Sequence, residues 1–237
     1  MITSAMNTTI KELMKLKQKK YRDNYYLIEG EHLVEEALKA GHVECLISTK
    51  EIHHDDVTVI VVSEQVMKKL TFTTHPQYLM AKCKIVKGDG LLPTHRYLLL
   101  DNLQDPGNVG TLIRTALAFG IKQIILSPEC VDIYNDKVLR SMQGANFHIS
   151  CIYQDLEEVI PQLQQLGVYV LGSTLENGVS IETILSSSKM AYIVGNEGKG
   201  MRKEILNLCD NRVYIPITTM ESLNVAVAGS IMMYHFK

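Results

Sequence analysis

The chain has 237 residues, 46% apolar and 21% charged, with a net charge of −2. That is ordinary globular composition, enough for one large core or two small ones. It excludes a polycation, so any contact with nucleic acid has to come from a local basic patch. No apolar run approaches the roughly 20 residues that span a bilayer, and the N terminus lacks a basic-then-apolar leader pattern. The five cysteines are scattered, with no C-x-x-C pair, and read as buried thiols of a reducing compartment. The expectation is a soluble, cytoplasmic protein.

In chain order, Ile10 to Tyr21 carries Ile10, Leu13, Met14 and Leu16 among many lysines, a helical pattern. Tyr25 to Ile28 reads as a short strand. Leu33, Val34, Ala37 and Leu38 have helical spacing, with Gly41 as the expected C-terminal cap. Val43 to Ile47 and Val59 to Val62 read as strands, Ser63 caps a helix through Leu70, and Tyr78 to Val86 is another strand. The run K-G-D-G-L-L-P-T-H from Lys87 to His95 marks a linker. The expected domains are therefore 1–88 and 96–237.

The second part alternates strand and helix. Strands are expected at Tyr97–Leu100, Gln123–Leu126, Phe147–Ile152, Tyr169–Leu171, Ala191–Val194 and Val213–Ile215. Helices are expected at Val109–Phe119, Lys137–Met142, Leu156–Leu166, Met201–Leu208 and Leu223–Phe236. Short apolar strands between helices predict an α/β fold with a parallel sheet, whose ligands bind at the carboxyl ends of the strands. There is no G-x-G-x-x-G, Walker A, H-E-x-x-H or G-x-S-x-G motif. The eight histidines have no metal-ligand spacing, so no metal is expected.

Three loop motifs remain. In Leu100–Gly120, a strand ends at Asp101, a Pro-Gly turn follows, and a helix opens near Asn108, read here as its N-cap. Arg114 lies one and a half turns in, on the face of Thr111 and Ala118. In Tyr192–Met201, a strand runs into the glycine-rich loop G-N-E-G-K-G, where backbone can approach a ligand closely. In Ile215–Ala228, Pro216 stops a strand, Thr218–Ser222 is polar, and the last helix is apolar nearly all round. Such a helix has to be buried, and its Ala226, Ala228 and Gly229 allow close approach by a partner. Asn224 within that run needs a hydrogen-bond partner.

Together N-V-G-T-L-I-R-T-A-L-A-F-G, I-V-G-N-E-G-K-G-M and I-P-…-E-S-L-N-V-A-V-A resemble the three motifs of the SpoU (TrmH-like) RNA methyltransferases of the SPOUT superfamily. They stand in order and cover the chain from about Leu98 onward. Tyr26-Leu27-Ile28-Glu29-Gly30 with the helix after it is similar to the N-terminal substrate-binding domain of many members, which resembles ribosomal protein L30e.

The resemblance implies a C-terminal SPOUT domain with a deep trefoil knot behind a small L30e-like α/β domain. It implies a homodimer, and S-adenosylmethionine as cofactor near Gly195, Ile215 and Leu223, with Thr174 a further contact. It implies methyl transfer to a ribose 2′-hydroxyl of RNA; the docking character of the first domain makes ribosomal RNA the expected substrate, with transfer RNA left open. In that reading Arg114 polarises the hydroxyl and positions a phosphate, Asn108 orients it, and Glu197, Ser222 and Asn224 organise the pocket. The loop from Pro216 to Ser222 is about one residue shorter than is common in the family. Lys15, Lys17, Lys19, Lys20 and Arg22, near Tyr21, Tyr25 and Tyr26, are the expected RNA contacts. Two alternatives stay open: a knotted methyltransferase acting on an RNA base, and a non-catalytic RNA-binding or ribosome-assembly protein.

Overall fold

Short, largely buried apolar strands build two separate sheets. The computed structural model describes every residue except Asp89, so that part of the Lys87–His95 linker lies outside the described residues. Cα packing divides the chain into two units: Met1–Lys87 with Tyr134–Phe147, and Gly88–Ile133 with His148–Lys237. The segment 134–147, read from the sequence as part of the second domain, packs with the first. The Tyr134 ring lies 4.5 Å from that of Tyr26, and Asn146 Nδ2 donates to Tyr26 Oη at 3.1 Å.

The first unit contains α1 (Thr8–Lys15), β1 (Tyr25–Glu29), α2 (Glu31–Lys39), β2 (Val43–Ser48), β3 (Thr58–Val61), α3 (Glu64–Leu70) and β4 (Leu79–Lys84). Its sheet has the order β1-β4-β2-β3, antiparallel except for the parallel β2–β3 pair. Ile10 and Leu13 of α1 and Val66, Met67 and Leu70 of α3 close over Leu27, Ile47 and Met80. Helix α1 is shorter than the pattern predicts. Its apolar spacing fails at Lys17, and a separate 3₁₀ turn forms at Lys19–Tyr21. Ser63 Oγ accepts from Val66 N–H, the expected cap of α3.

Glu29 is the one buried carboxylate of this unit's polar core. It accepts Thr71 Oγ1 (2.6 Å), Phe72 N (2.9 Å), Thr73 Oγ1 (3.1 Å) and Gln77 N (3.0 Å), tying the 71–77 loop to the end of β1. Burial alone would raise its pKa, but these hydrogen bonds outweigh burial and hold the carboxyl below its ordinary value. A lowered folded-state pKa stabilises above the unfolded value of about 4.3, and the gain is lost as pH falls through the folded value. Glu29→Gln is therefore expected to cost about 1–3 kcal/mol at pH 7. In urea melts at several pH values the deficit should shrink below about pH 4; a deficit independent of pH contradicts the assignment.

The second unit contains β5 (Arg96–Asp101), α4 (Pro106–Ala118), β6 (Gln123–Leu126), β7 (Ser150–Tyr153), α6 (Leu156–Gln165), β8 (Tyr169–Ser173), β9 (Val179–Ser180), β10 (Met190–Gly195), α7 (Lys203–Leu208), β11 (Asn211–Tyr214) and α8 (Val225–His235). Helix α5 (Asp136–Met142) belongs to the 134–147 segment. The sheet is seven-stranded and parallel throughout, in the order β7-β6-β5-β10-β8-β11-β9. Strands β6 and β10 are buried over their whole length and β5 from Tyr97 onward, as the apolar runs predict. Phe147, expected in a strand, lies instead in a 3₁₀ turn, and β7 starts at Ser150. The left-handed Gln143 and Gly144 end α5 just before it. No helix among the described residues is long and apolar enough to cross a membrane.

Candidate active site

The carboxyl ends of β5, β10, β8 and β11 lie side by side in the sheet. They carry Asp101, Gly195, Thr174 (one residue past β8) and Ile215 (one past β11) to one edge. This is where open parallel sheets bind ligands. Two helices start at the same edge. Helix α4 begins with Pro106 at its first position, and its cap is Asp105, whose Oδ1 accepts Asn108 N–H at 2.8 Å. The expectation that Asn108 caps α4 is corrected here. Asp-Pro is the stronger start signal, because proline fits the first turn and has no N–H to satisfy. Helix α8 is capped by Asn224, whose Oδ1 accepts Ala226 N–H (2.9 Å) and Val227 N–H (3.3 Å).

Relieved of capping, the Asn108 side chain joins the three motifs. Its Nδ2 donates to Glu197 Oε1 at 3.2 Å, and its Oδ1 accepts from Asn224 Nδ2 at 3.0 Å. Glu197 also accepts the backbone N–H groups of Gln104 (3.4 Å) and Asp105 (3.1 Å) ahead of α4. The polarity of this relay is fixed at both ends. A carboxylate only accepts, so Asn108 has to turn its amide nitrogen to Glu197 and its oxygen to Asn224. The α8 N–H groups only donate, so Asn224 has to turn its oxygen to them.

The glycine-rich loop is equally constrained. A Cβ on Gly195 would lie 2.3 Å from Met201 N, so only glycine fits. Asn196 and Gly200 exchange backbone hydrogen bonds at 3.0 and 2.9 Å. Asn196 Oδ1 accepts Gly198 N–H and Lys199 N–H at 3.0 Å each, and its Nδ2 donates to Asn102 O at 2.8 Å. Asn102 itself holds a left-handed φ of 58°. Sequence reasoning missed Asp105, Asn196, Asp101 and Arg202. The D-P-G and G-N-x-G patterns could have revealed the first two.

The other expected site residues fall around this edge without joining the relay. Arg114 is exposed on α4 and, among the described residues, makes no side-chain hydrogen bond or ion pair. It stands about 9 Å along the axis from Asn108 at 1.5 Å per residue. Ser222 is exposed in the loop before α8, and Leu223 and Ile215 are half-buried. The Thr174 hydroxyl is engaged in its own turn, donating to Glu176 O at 2.9 Å and accepting Glu176 N–H at 3.2 Å. Its backbone N–H donates to Val213 O. No cysteine is a candidate nucleophile: burial pushes the thiols of Cys151 and Cys209 up to about 12 and raises the others.

Among the expected RNA contacts, Lys15, Lys19 and Lys20 are exposed, with Lys15 and Lys20 6.0 and 4.9 Å from the Tyr21 ring centre. Lys17 and Arg22 have structural partners instead. Lys17 Nζ donates to Thr71 O (2.6 Å) and Lys69 O (3.2 Å) at the end of α3 and sits over Phe72. Arg22 Nη1 donates to Tyr134 O.

Residues 95–234 match the model of the SpoU rRNA Methylase family. The chain belongs to that family. Residues 7–81 match the MRM3-like substrate binding domain, which agrees with the substrate-binding domain expected there. The chain is 41% identical to the 23S rRNA (guanosine(2553)-2′-O)-methyltransferase RlmP of Bacillus subtilis (strain 168), over 100% of this chain and 98% of that protein. It is similar to the AdoMet-bound rRNA methyltransferase of Sinorhizobium meliloti, at 30% identity and a TM-score of 0.89, covering 99% of this chain and 95% of that one. An RNA 2′-O ribose methyltransferase structure, 28% identical, covers 99% of this chain and 96% of its own with a TM-score of 0.82.

Proposed function

We propose that this SpoU-family chain transfers a methyl group from S-adenosylmethionine to a ribose 2′-hydroxyl of ribosomal RNA, working in the cytoplasm as a homodimer. The observation that carries the reading is the Glu197–Asn108–Asn224 relay, which draws all three family motifs to the ligand-binding edge of the parallel sheet. The B. subtilis relative, similar over its full length and named for a guanosine of 23S rRNA, supports large-subunit RNA as the substrate class.

The residues at this edge suit the cofactor. Gly195 lets the glycine-rich loop fold tightly back on the end of β10, because the backbone of Gly200 and Met201 fills the space a side chain would need, and Ile215 and Leu223 offer half-buried apolar surface. We assign these three to the cofactor, with Thr174 contributing through its backbone. Bound S-adenosylmethionine supplies an electrophilic methyl on a sulfonium. The chain has to do the rest: hold the ribose in line with that methyl, and lower the cost of deprotonating a weakly acidic hydroxyl. Arg114 is suited to the second task as a permanently cationic, donor-only fork that can grip a phosphate and the hydroxyl oxygen together. Ser222 is assigned to the substrate side of the pocket.

The dimer reading has its own support. Helix α8 packs on α4 so closely that a Cβ on Gly229 would meet Leu112 Cδ2 at 2.5 Å. Yet α8 leaves Val227 and Tyr234 exposed, as α4 leaves Thr111, Arg114 and Ala118. An apolar, small-residue face with an unpartnered arginine suits a second copy that completes the site. We include the family's trefoil knot in this reading.

The exposed lysines of the first unit are assigned to RNA phosphates. Charge reversal of Lys15, Lys19 and Lys20 is expected to weaken RNA binding and to flatten the slope of log K against log salt by about 0.7–0.9 per lost phosphate contact. An unchanged slope removes these lysines from the interface. The function itself is tested by mapping ribose methylation in total RNA from cells with and without the protein. The expected difference is a single 2′-O-methyl nucleotide in 23S rRNA, and identical maps contradict it.

A further inference from the structure

The relay leaves one strong polar contact of this unit unexplained. Asp101 closes β5, in register with Gly195 at the end of β10, and is fully buried. Its Oδ2 accepts the backbone N–H of Arg202 and its Oδ1 accepts Arg202 Nε–H, both at 2.8 Å. Arg202 Nη1 lies 3.7 Å from Glu157 Oε1 in the first turn of α6. Arg202 Nη2 is buried with no hydrogen-bond partner among the described residues.

Burying a carboxylate and leaving a donor unsatisfied both oppose stability. The surrounding core, with Leu99, Ile193 and Ile205 all fully buried, is apolar and could have been continued with apolar residues. What the pair supplies is geometry. Gly195 fixes where the chain enters the glycine-rich loop, because its backbone touches that of Met201. Asp101 fixes where the chain leaves it, through one bond to the backbone of Arg202 and one to its side chain. Entry and exit are thereby pinned to the end of β5, the strand that also leads into α4 and Asn108.

We infer that Asp101 and Arg202 are positioning residues for the cofactor loop, with Glu157 as an outer support. They set the backbone around Gly195 and touch neither substrate nor cofactor. The inference rests on the reading of Gly195 as part of the cofactor site. In Asp101→Asn an amide replaces the carboxylate. Its nitrogen faces one of the two Arg202 N–H groups, donor against donor, and the exit of the loop is released.

The test is calorimetry and steady-state kinetics on the full chain, with S-adenosylmethionine as the varied ligand and thermal unfolding recorded alongside. D101N is expected to raise both Kd and KM for S-adenosylmethionine by about tenfold or more, with kcat at saturation within about threefold. R202A keeps the backbone bond and should show a smaller rise, R202K should recover part of it, and E157Q should lie within about twofold of wild type. The D101N/R202A double variant should bind no more weakly than D101N, because both act through one contact. Cofactor affinity within twofold of wild type in both D101N and R202A overturns the inference. So does R202K no better than R202A with affinity tracking lost thermal stability. If D101N does not fold, R202A and R202K decide the question, since Arg202 is partly exposed, and R202A affinity within twofold of wild type then overturns the inference alone. Failure of the wild-type chain to bind S-adenosylmethionine is a different result and defeats the proposed function instead.

Discussion

Arg114→Ala is expected to lower the methyl-transfer rate by about 10²–10⁴-fold, the range that a positioned proton-handling group contributes, with S-adenosylmethionine affinity within about twofold of wild type. The reason is positional. Arg114 is exposed and makes no side-chain hydrogen bond or ion pair among the described residues, so thermal stability should be nearly unchanged without it. It also lies about 9 Å along α4 from Asn108, too far to contact the cofactor edge through its backbone. Its effect should therefore fall on kcat, and on RNA binding through a lost phosphate contact. Arg114→Lys should restore little, because an ammonium cannot engage a phosphate and a hydroxyl in the forked geometry of a guanidinium. If Arg114 serves a site completed by a second copy, mixing the R114A chain with a chain disabled at Gly195 should restore activity through hybrid dimers. Unchanged turnover in R114A removes Arg114 from the mechanism.

The second large effect concerns Asn224. Aspartate caps a helix as well as asparagine, so Asn224→Asp keeps the hydrogen bonds to Ala226 and Val227 and should leave the melting temperature nearly unchanged. It cannot donate to Asn108 Oδ1, however, and it faces that oxygen with a negative charge. The bond between Asn108 and Asn224 would be lost and the first and third motifs uncoupled, while the packing of α8 on α4 through Gly229 and Leu112 stays. A loss of about 10²-fold in kcat/KM is expected, with the secondary-structure spectrum of wild type. Glu197→Gln should act from the other end, because an amide there cannot accept all three donors of Gln104, Asp105 and Asn108. Asn108→Ala and Asn224→Ala should be non-additive, with a coupling of about 0.5–3 kcal/mol in a double-mutant cycle. Additive losses would mean that the asparagines act separately.

Much of this site is legible in the sequence, for identifiable reasons. Strands such as Gln123–Leu126 are short, apolar and bounded by polar residues, and the structure keeps those bounds. Ser63 sits just ahead of a helical run, where a side-chain oxygen has one obvious use, whereas Asn224, expected inside a helix from Leu223, caps one that starts at Val225. The motif order shows that three loops converge, but not how. Asn108 looks like a cap until Asp105 is seen to take that role, and only then is its amide available to Glu197. Local pattern also fails where a distant group decides. Past the end of the first helix, Lys17 does not face solvent as its charge suggests but is held by the carbonyls of Lys69 and Thr71, more than fifty residues on. The 134–147 segment follows the periodicity of its neighbours in the chain, yet packs with the other unit through Tyr26. Asp101 and Arg202, 101 residues apart, meet only because β5 and β10 are adjacent in the sheet.

Methyl transfer at this edge should end on a ribose oxygen. Purified full-length protein should be incubated with unmodified 23S rRNA and S-adenosylmethionine carrying an isotopically labelled methyl, and the digested nucleosides analysed by mass spectrometry. Label is expected on one nucleoside, lodged in the ribose as a 2′-O-methyl and absent with R114A. Label on a base nitrogen, or none at all with a protein that is folded, would contradict it.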